Sequence, residues 1–104
     1  MTHPFRFSAS LGGLDTADLV TSAQRAEELG FNTVTLPDHF TDQPAPLIGL
    51  TAAAIATTTL RVLPLVLAND YREPMVLAKE LASIDALSGG RLEFGLGAGW
   101  MITD

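Results

Sequence analysis

The 104-residue chain is long enough for one small domain, and 47% of its residues are hydrophobic, which can supply a core. Six Lys and Arg against twelve Asp and Glu give a formal net charge of -6, and this acidic surface argues against nucleic acid as a partner. Without cysteine or a long apolar run, the sequence predicts no disulfide, metal site, signal peptide or membrane span, and we expect a cytoplasmic protein.

The first half of the chain alternates strand and helix patterns. Residues 4–10 predict a first strand that ends in a glycine-rich turn. Asp15 is then expected to cap a helix whose apolar stripe stops at Gly30. β-Branched residues in 31–37 predict a second strand. The Ala-rich run 47–59 predicts a second helix, and its near lack of charge predicts deep burial.

The second half continues this alternation with one irregularity. The near-continuous apolar run 60–68 is typical of a parallel strand that is covered on both faces. Because proline has no N–H for a strand ladder, we expect a bulge or a similar break at residues 64–66. Pro74 suits the first turn of a third helix that ends at the glycine pair 89–90. Residues 91–99 predict a fourth strand.

This order of elements predicts an α/β fold with a parallel sheet and right-handed crossovers. Four strands and three helices amount to about half of a TIM (β/α)8 barrel, so we expect residues 1–104 to form one partial barrel domain. Apolar strands at unpaired sheet edges would favour a homo-oligomer or pairing with a complementary half-barrel.

Three stretches of the sequence resemble one protein family. SGGRLEFGLGAGW at 88–100, preceded by EPMVLAKELASIDAL, closely resembles the luciferase-like monooxygenase superfamily, particularly its branch that uses coenzyme F420. AEELGFNTVTLPDHF at 26–40 looks like the first helix and second strand of that family. The resemblance implies a TIM-barrel oxidoreductase that acts on a small molecule. It implies hydride transfer with F420, a deazaflavin, or monooxygenation with flavin mononucleotide (FMN).

Asp38 and His39 follow the second predicted strand, which is where TIM-barrel active sites lie. The resemblance implies that His39 faces the flavin or the substrate, where its imidazole could hydrogen-bond the ring system or move a proton. Asp38 would then orient His39 or the loop. The alternative is that both are polar loop residues after Pro37.

A second group of candidate residues would contact the cofactor: Leu65, Val66, Asn69, Gly97, Ala98, Gly99 and Trp100. The resemblance implies a bulge with a non-proline cis peptide at Leu65 and Val66, behind the deazaflavin ring; the alternative is a regular buried strand. Asn69 either bonds to the cofactor edge or forms a turn. The small residues 97–99 would let a flat ring approach the backbone, with Trp100 as a wall of the pocket.

Two other functions stay open at this point. A truncated, catalytically inactive half-barrel would persist as a self-associating structural fragment, and a generic α/β protein would bind a different ligand. A dinucleotide fingerprint is not expected at GLGAG, because only five residues follow Gly99 and leave no helix for a pyrophosphate.

Overall fold

The computed structural model describes residues 4–98, in which strands and helices alternate in the predicted order. The strands are β1 (Ser8–Ser10), β2 (Thr33–Leu36), β3 (Arg61–Pro64), β4 (Leu67–Ala68) and β5 (Leu96–Gly97). The helices are α1 (Leu19–Glu28), α2 (Pro46–Ile55) and α3 (Pro74–Leu87), and short 3-10 turns occupy Thr16–Asp18 and Asn69–Tyr71. Within residues 4–98, no helix has the length and apolar content needed to cross a bilayer.

All strand pairs in the described range are parallel, which confirms the predicted α/β class. Strands β1, β2 and β3 form one sheet in that order, and β4 pairs with β5. Val34 of β2 lies in register between Ala9 of β1 and Val62 of β3. Parallel neighbours need a long crossover between them, and α1 and α2 supply it on either side of β2.

The core lies between the sheet and its helices. Val34, Leu36 and Val62 are fully buried, and α2 packs on β2 and β3. Gly49 permits this close packing, because a Cβ there would lie 2.9 Å from Leu36 Cδ1 and 3.2 Å from Leu19 Cδ1. A larger residue at position 49 would push α2 away from the sheet.

Two predicted helix boundaries differ from the structure. The Asp15 side chain makes no capping hydrogen bond, and a 3-10 turn closed by Asp18 N–H to Asp15 O (2.9 Å) separates it from α1. At the other end α1 stops as predicted, because Gly30 adopts a φ of +90°. Helix α2 ends at Ile55, short of the predicted end at Thr59.

Glu27 of α1 explains why the second helix ends early. Its carboxylate accepts hydrogen bonds from the backbone N–H groups of Thr58 (3.0 Å), Thr59 (2.8 Å) and Leu60 (2.9 Å), and these bonds hold the segment in a non-helical form. The same hydrogen bonds, led by the one from Thr59, lower the pKa of Glu27. The α1 carboxylate thus fixes the entry to β3.

The irregularity predicted at residues 64–66 divides the third strand into β3 and β4. Leu67 lies five positions after Val62, whereas its partner Leu96 lies four positions after Leu92, which is the partner of Val62. The break therefore accommodates one extra residue, as a β-bulge does. The peptide bond between Leu65 and Val66 is cis, as the family resemblance implied.

The third helix is confirmed and the fourth strand is shorter than predicted. Pro74 is the first residue of α3, and Glu73 caps the helix by accepting a hydrogen bond from Val76 N–H (2.9 Å). Strand β5 covers Leu96–Gly97, with a separate bridge at Leu92, because the break in the neighbouring strand interrupts the ladder. The predicted count of four strands is not confirmed, since the described residues form five short ones.

Replacing Glu27 by Gln is expected to lower the free energy of unfolding by about 1 kcal/mol, because a neutral amide accepts hydrogen bonds less strongly than a carboxylate. The folded-state pKa lies below the ordinary value of 4.5, so the stabilisation is complete above that value and is lost as the pH falls through the folded-state pKa. Urea unfolding at pH 7 and pH 3 measures both effects.

Glu28→Gln is the matched control, because Glu28 forms an exposed ion pair with Arg25 (3.3 Å) and such pairs stabilise little. Equal losses of stability in the two variants at pH 7 would show that the Glu27 hydrogen bonds do not hold the segment before β3.

Candidate functional site

The segments after β2 and around β4 meet at the carboxyl edge of the sheet. Asp38 Oδ2 accepts a hydrogen bond from Ala68 N–H at 2.8 Å, across 30 positions of sequence. The rings of Phe40 and Tyr71 pack against each other with their centroids 4.8 Å apart. One predicted group of site residues follows β2, and the other begins at the break in the third strand. These two contacts therefore hold the loop of the first group beside the strand end of the second.

Asp38 is a buried carboxylate whose two oxygens both have partners. Its side chain is 6% exposed, and the Arg72 guanidinium binds it at two points. Arg72 Nη2 donates to Oδ1 at 3.0 Å, and Nη1 donates to Oδ2. This hydrogen bonding raises the pKa of Arg72. Both oxygens of the Asp38 carboxylate already accept hydrogen bonds from Ala68 and Arg72. The carboxylate is therefore suited to hold the two loops in position rather than to transfer a proton.

Arg72 is a site residue that the sequence does not reveal. It lies 34 positions after Asp38, and no local pattern links the two. A general rule offers the one available signal, since a buried carboxylate at a strand end requires a cation or N–H donors nearby. That rule predicts a partner for Asp38 but not which of the six Lys and Arg residues it is.

Val66 packs into a space that two glycines leave open. A Cβ on Gly95 would lie 2.8 Å from Val66 Cγ1, and a Cβ on Gly97 would lie 2.6 Å from Val66 Cγ2. Both distances are shorter than carbon–carbon contacts allow. The sequence suggests that Gly97 makes room for a flat ring, but the neighbour that the structure places there is Val66. The sequence prediction does not include Gly95, although the glycines at alternate positions of 95–99 are a signal for close packing.

The two faces of the segment around β5 differ. An apolar groove of about 550 Å³ lies between this segment and α3, and its strand side is lined by Leu92, Phe94 and Leu96. Side chains alternate along a strand, so Gly95 and Gly97 lie on the face that points away from α3. Val66 packs on these glycines and therefore belongs to the face of the sheet opposite α3.

The break in the third strand presents an apolar surface at the strand ends. Leu65 is 50% exposed and Val66 is 41% exposed, which is unusual for apolar residues inside a strand region. His39 is half-buried and directly follows the fixed Asp38. An apolar surface and an imidazole are thus both available at the carboxyl edge.

The remaining candidates are more scattered. Asn69 is exposed and lines the end of the groove beside α3, which His39, Leu65 and Val66 do not line. Ala98 is exposed, and Gly99 and Trp100 lie outside the described residues. Within residues 4–98, no three potential metal ligands converge. The structure therefore joins part of the predicted site and leaves Asn69 at its margin.

Comparison with known proteins gives a consistent match. The family model of the luciferase-like monooxygenases matches residues 1–102. The F420-dependent glucose-6-phosphate dehydrogenase of Kribbella flavida is 38% identical over 101 residues, which cover 89% of this chain and 30% of that enzyme.

Two solved structures share the fold. The coenzyme F420-dependent tetrahydromethanopterin reductase of Methanopyrus kandleri matches with a TM-score of 0.85 and 26% identity, over 94% of this chain and 28% of that chain. The oxygenating constituent of 3,6-diketocamphane monooxygenase from Pseudomonas putida, in complex with FMN, matches with a TM-score of 0.87 and 19% identity, over 97% and 32%. The chain thus spans about a third or less of these relatives, and the expectation of half a barrel is not confirmed.

Gly97→Ala is expected to destabilise the fold by about 1–3 kcal/mol, because its Cβ would overlap Val66 Cγ2. Val66→Ala in the same chain removes the overlap, so the double variant should lose less stability than the sum of the two single variants, by about 0.5 kcal/mol or more. Urea unfolding of the four proteins measures this coupling.

Gly12→Ala serves as the control, since a Cβ at position 12 would meet Ser10 Oγ (3.2 Å) and Pro37 Cδ (3.3 Å) and would not contact Val66. Its combination with Val66→Ala should be additive. Additive losses for Gly97→Ala as well would mean that Val66 does not occupy the glycine space.

Proposed function

This chain belongs to the luciferase-like monooxygenase family, and we propose that it forms the N-terminal part of a (β/α)8-barrel oxidoreductase with its cofactor ring at the carboxyl strand ends. The observation that carries the proposal is the hydrogen bond from Ala68 to Asp38, which ties the loop that bears His39 to the end of the interrupted strand. Two elements far apart in sequence thus contribute to one edge, as a barrel active site requires.

The surface at this edge fits a flat heteroaromatic ring. Leu65 and Val66 expose about half of their apolar side chains on the face of the sheet where no groove with α3 forms. A cofactor site usually combines such an apolar wall with a few polar groups. His39, which is half-buried after Asp38, and Asn69, which is exposed three positions after Val66, are the polar residues that we propose for this site.

The proposed roles follow from the chemistry of each side chain. When bound, a deazaflavin or flavin supplies the hydride acceptor or donor, and the protein binds and orients it. His39 would hydrogen-bond the ring or hold a proton near the substrate, because an imidazole can donate a hydrogen bond from one ring nitrogen and accept one at the other. Asp38, clamped by Arg72, would hold the His39 loop against β4.

The other candidates would complete the lining of the ring site. Leu65 and Val66 would support one face of the ring, and the Asn69 amide would bond its edge. The backbone at Gly97 and Ala98 would border the ring, and Gly99 and Trp100 would close the site beyond β5.

Coenzyme F420 is the proposed cofactor and FMN is the alternative. A relative that is 38% identical over 89% of this chain is an F420-dependent dehydrogenase, which supports hydride transfer between F420 and a small-molecule substrate. The FMN-bound monooxygenase structure is 19% identical and supports the fold alone. Monooxygenation with FMN would differ in using oxygen as a substrate.

A second candidate function is a catalytically inactive fragment. Phe7 is 63% exposed and Leu65 is 50% exposed, so much apolar surface lacks cover within residues 4–98. The chain also spans 30% of the F420-dependent relative from Kribbella flavida, and a full barrel would contribute further cofactor contacts. A self-associating structural fragment would bury this surface in contacts between copies and would catalyse no reaction.

Fluorescence titration of the 104-residue chain with oxidised F420, and separately with FMN, tests the proposal. We expect F420 to bind and His39→Ala to raise its dissociation constant by about tenfold, because the variant loses one hydrogen bond to the ring. Thr41→Ala, an exposed change two positions along the same loop, should leave the dissociation constant unchanged.

Each outcome of the titration distinguishes between the proposed functions and cofactors. Tighter binding of FMN than of F420 would favour the monooxygenase alternative. A folded chain that binds neither cofactor would support the inactive fragment. Equal effects of His39→Ala and Thr41→Ala on the dissociation constant would mean that His39 does not contact the cofactor.

A further inference from the structure

The sheet has one face that the helices cover and an opposite face, here called the inner face. Val34 and Val62 are fully buried on the covered face, against which α2 packs. The far side of α2 is open, with Ile48 73% exposed, so the deep burial predicted for this helix is wrong there. Successive side chains of a strand point to opposite faces, so Thr33 and its partner in register, Arg61, lie on the inner face. A charged side chain thus stands on the face that a closed barrel would enclose.

Three charged side chains from three segments meet on the inner face, at the amino ends of the strands. Leu92 bridges to Val62 on the covered face, so the next residue, Glu93, lies on the inner face with Arg61. Glu93 Oε1 accepts a hydrogen bond from Arg6 Nη2 at 2.6 Å and another from Arg61 Nε at 2.6 Å. The hydrogen bond from Arg6, followed by that from Arg61, lowers the pKa of Glu93. The Glu93 carboxylate is therefore ionised at neutral pH.

The cluster of Arg6, Arg61 and Glu93 carries an excess of positive charge. Two guanidinium groups share one carboxylate, and no other acidic group lies within 4 Å of either arginine among residues 4–98. Each guanidinium has several N–H donors, of which only one is bonded to Glu93. Donors for a second oxyanion are therefore present on both arginines.

Closure of a barrel over the inner face would take this excess charge out of water. The side chains of Arg6, Arg61 and Glu93 are 55%, 37% and 32% exposed, so solvent reaches all three in this chain. An unpaired charge inside a protein is strongly destabilising, whereas a charge with a hydrogen-bonded counter-ion is tolerated. Whatever covers the inner face should therefore bring an anion to the two arginines.

We propose that Arg6 and Arg61 bind a second carboxylate, which a strand of the remaining barrel supplies from across the interior. This inference rests on the proposed barrel, in which later strands close over the inner face. A second copy of this chain fits the inner face poorly, because it would bring another cluster with excess positive charge. A strand that bears a carboxylate compensates the charge, and guanidinium–carboxylate geometry fixes where that strand sits.

Titration of the 15N-labelled 104-residue chain with sodium acetate at pH 7 tests this site. Acetate stands in for the strand carboxylate and replaces sodium chloride at constant ionic strength. We expect saturable shifts of the Nε–H signals of Arg6 and Arg61, with a dissociation constant on the order of 10 mM, because both guanidinium groups can bond to one small carboxylate.

Single substitutions distinguish this site from general attraction of anions. Arg6→Gln and Arg61→Gln should each weaken acetate binding about fivefold, because each removes one cation. Glu93→Gln should instead tighten acetate binding about fivefold, because the carboxylate that competes for both arginines is lost. Arg25→Gln is the matched control, since Arg25 forms an exposed ion pair with Glu28, and it should leave the dissociation constant unchanged. Circular dichroism checks the fold of each variant.

The outcomes that would overturn the proposal are specific. They are shifts that stay linear in acetate, equal shifts of the Arg25 Nε–H signal, or weaker acetate binding by Glu93→Gln. Saturable binding of inorganic phosphate without any binding of acetate would indicate a site for free phosphate and would also overturn it. The acetate shifts do not depend on a cofactor, so failure of F420 to bind beside normal acetate binding would contradict the proposed activity and not this site.

Discussion

The carboxylate of Asp38 accepts three hydrogen bonds, one from Ala68 N–H and two from N–H groups of Arg72. A buried charge that loses its partners destabilises a protein by several kcal/mol, so these contacts form or break together. The loop after β2 therefore cannot move independently of the segment from Ala68 to Arg72. Packing of Phe40 on Tyr71 adds a second contact between the same two segments.

A steric constraint then links β4 to β5. The extra residue at the break places Val66 where its methyl groups fill the space left by Gly95 and Gly97. The ends of β2, β4 and β5 are thus connected, through an ion pair on one side and through side-chain packing on the other. Both contacts are made by residues of the chain itself, so they pre-organise the edge at which we propose that a cofactor ring binds.

Local patterns in the sequence predict much of this fold. The 3.6-residue apolar stripe of α1, the β-branched run of β2 and Pro74 at the start of α3 each specify an element through nearby residues alone. Pro64 similarly marks the break, because its missing N–H is a local property. Motif resemblance adds the cis peptide between Leu65 and Val66.

What the sequence does not reveal depends on partners far along the chain. Glu27 ends α2 by binding backbone groups 31 to 33 positions away, and Arg72 reaches Asp38 across 34 positions. The reason for a glycine at position 95 is clear only when the position of the Val66 side chain beside it is known. The roles of His39 and Asn69 stay predictions, because they depend on a ligand that contacts them.

We propose above all that a deazaflavin or flavin ring binds on the face of the sheet where Val66 lies, and not in the apolar groove between α3 and the segment around β5. Titration of the 15N-labelled chain with F420, followed by amide chemical shifts, tests it directly. The account predicts that the shifted amides cluster at His39, Val66, Ala68 and Gly97. Shifts confined to the groove, at Leu77, Leu81 and Phe94, would contradict it.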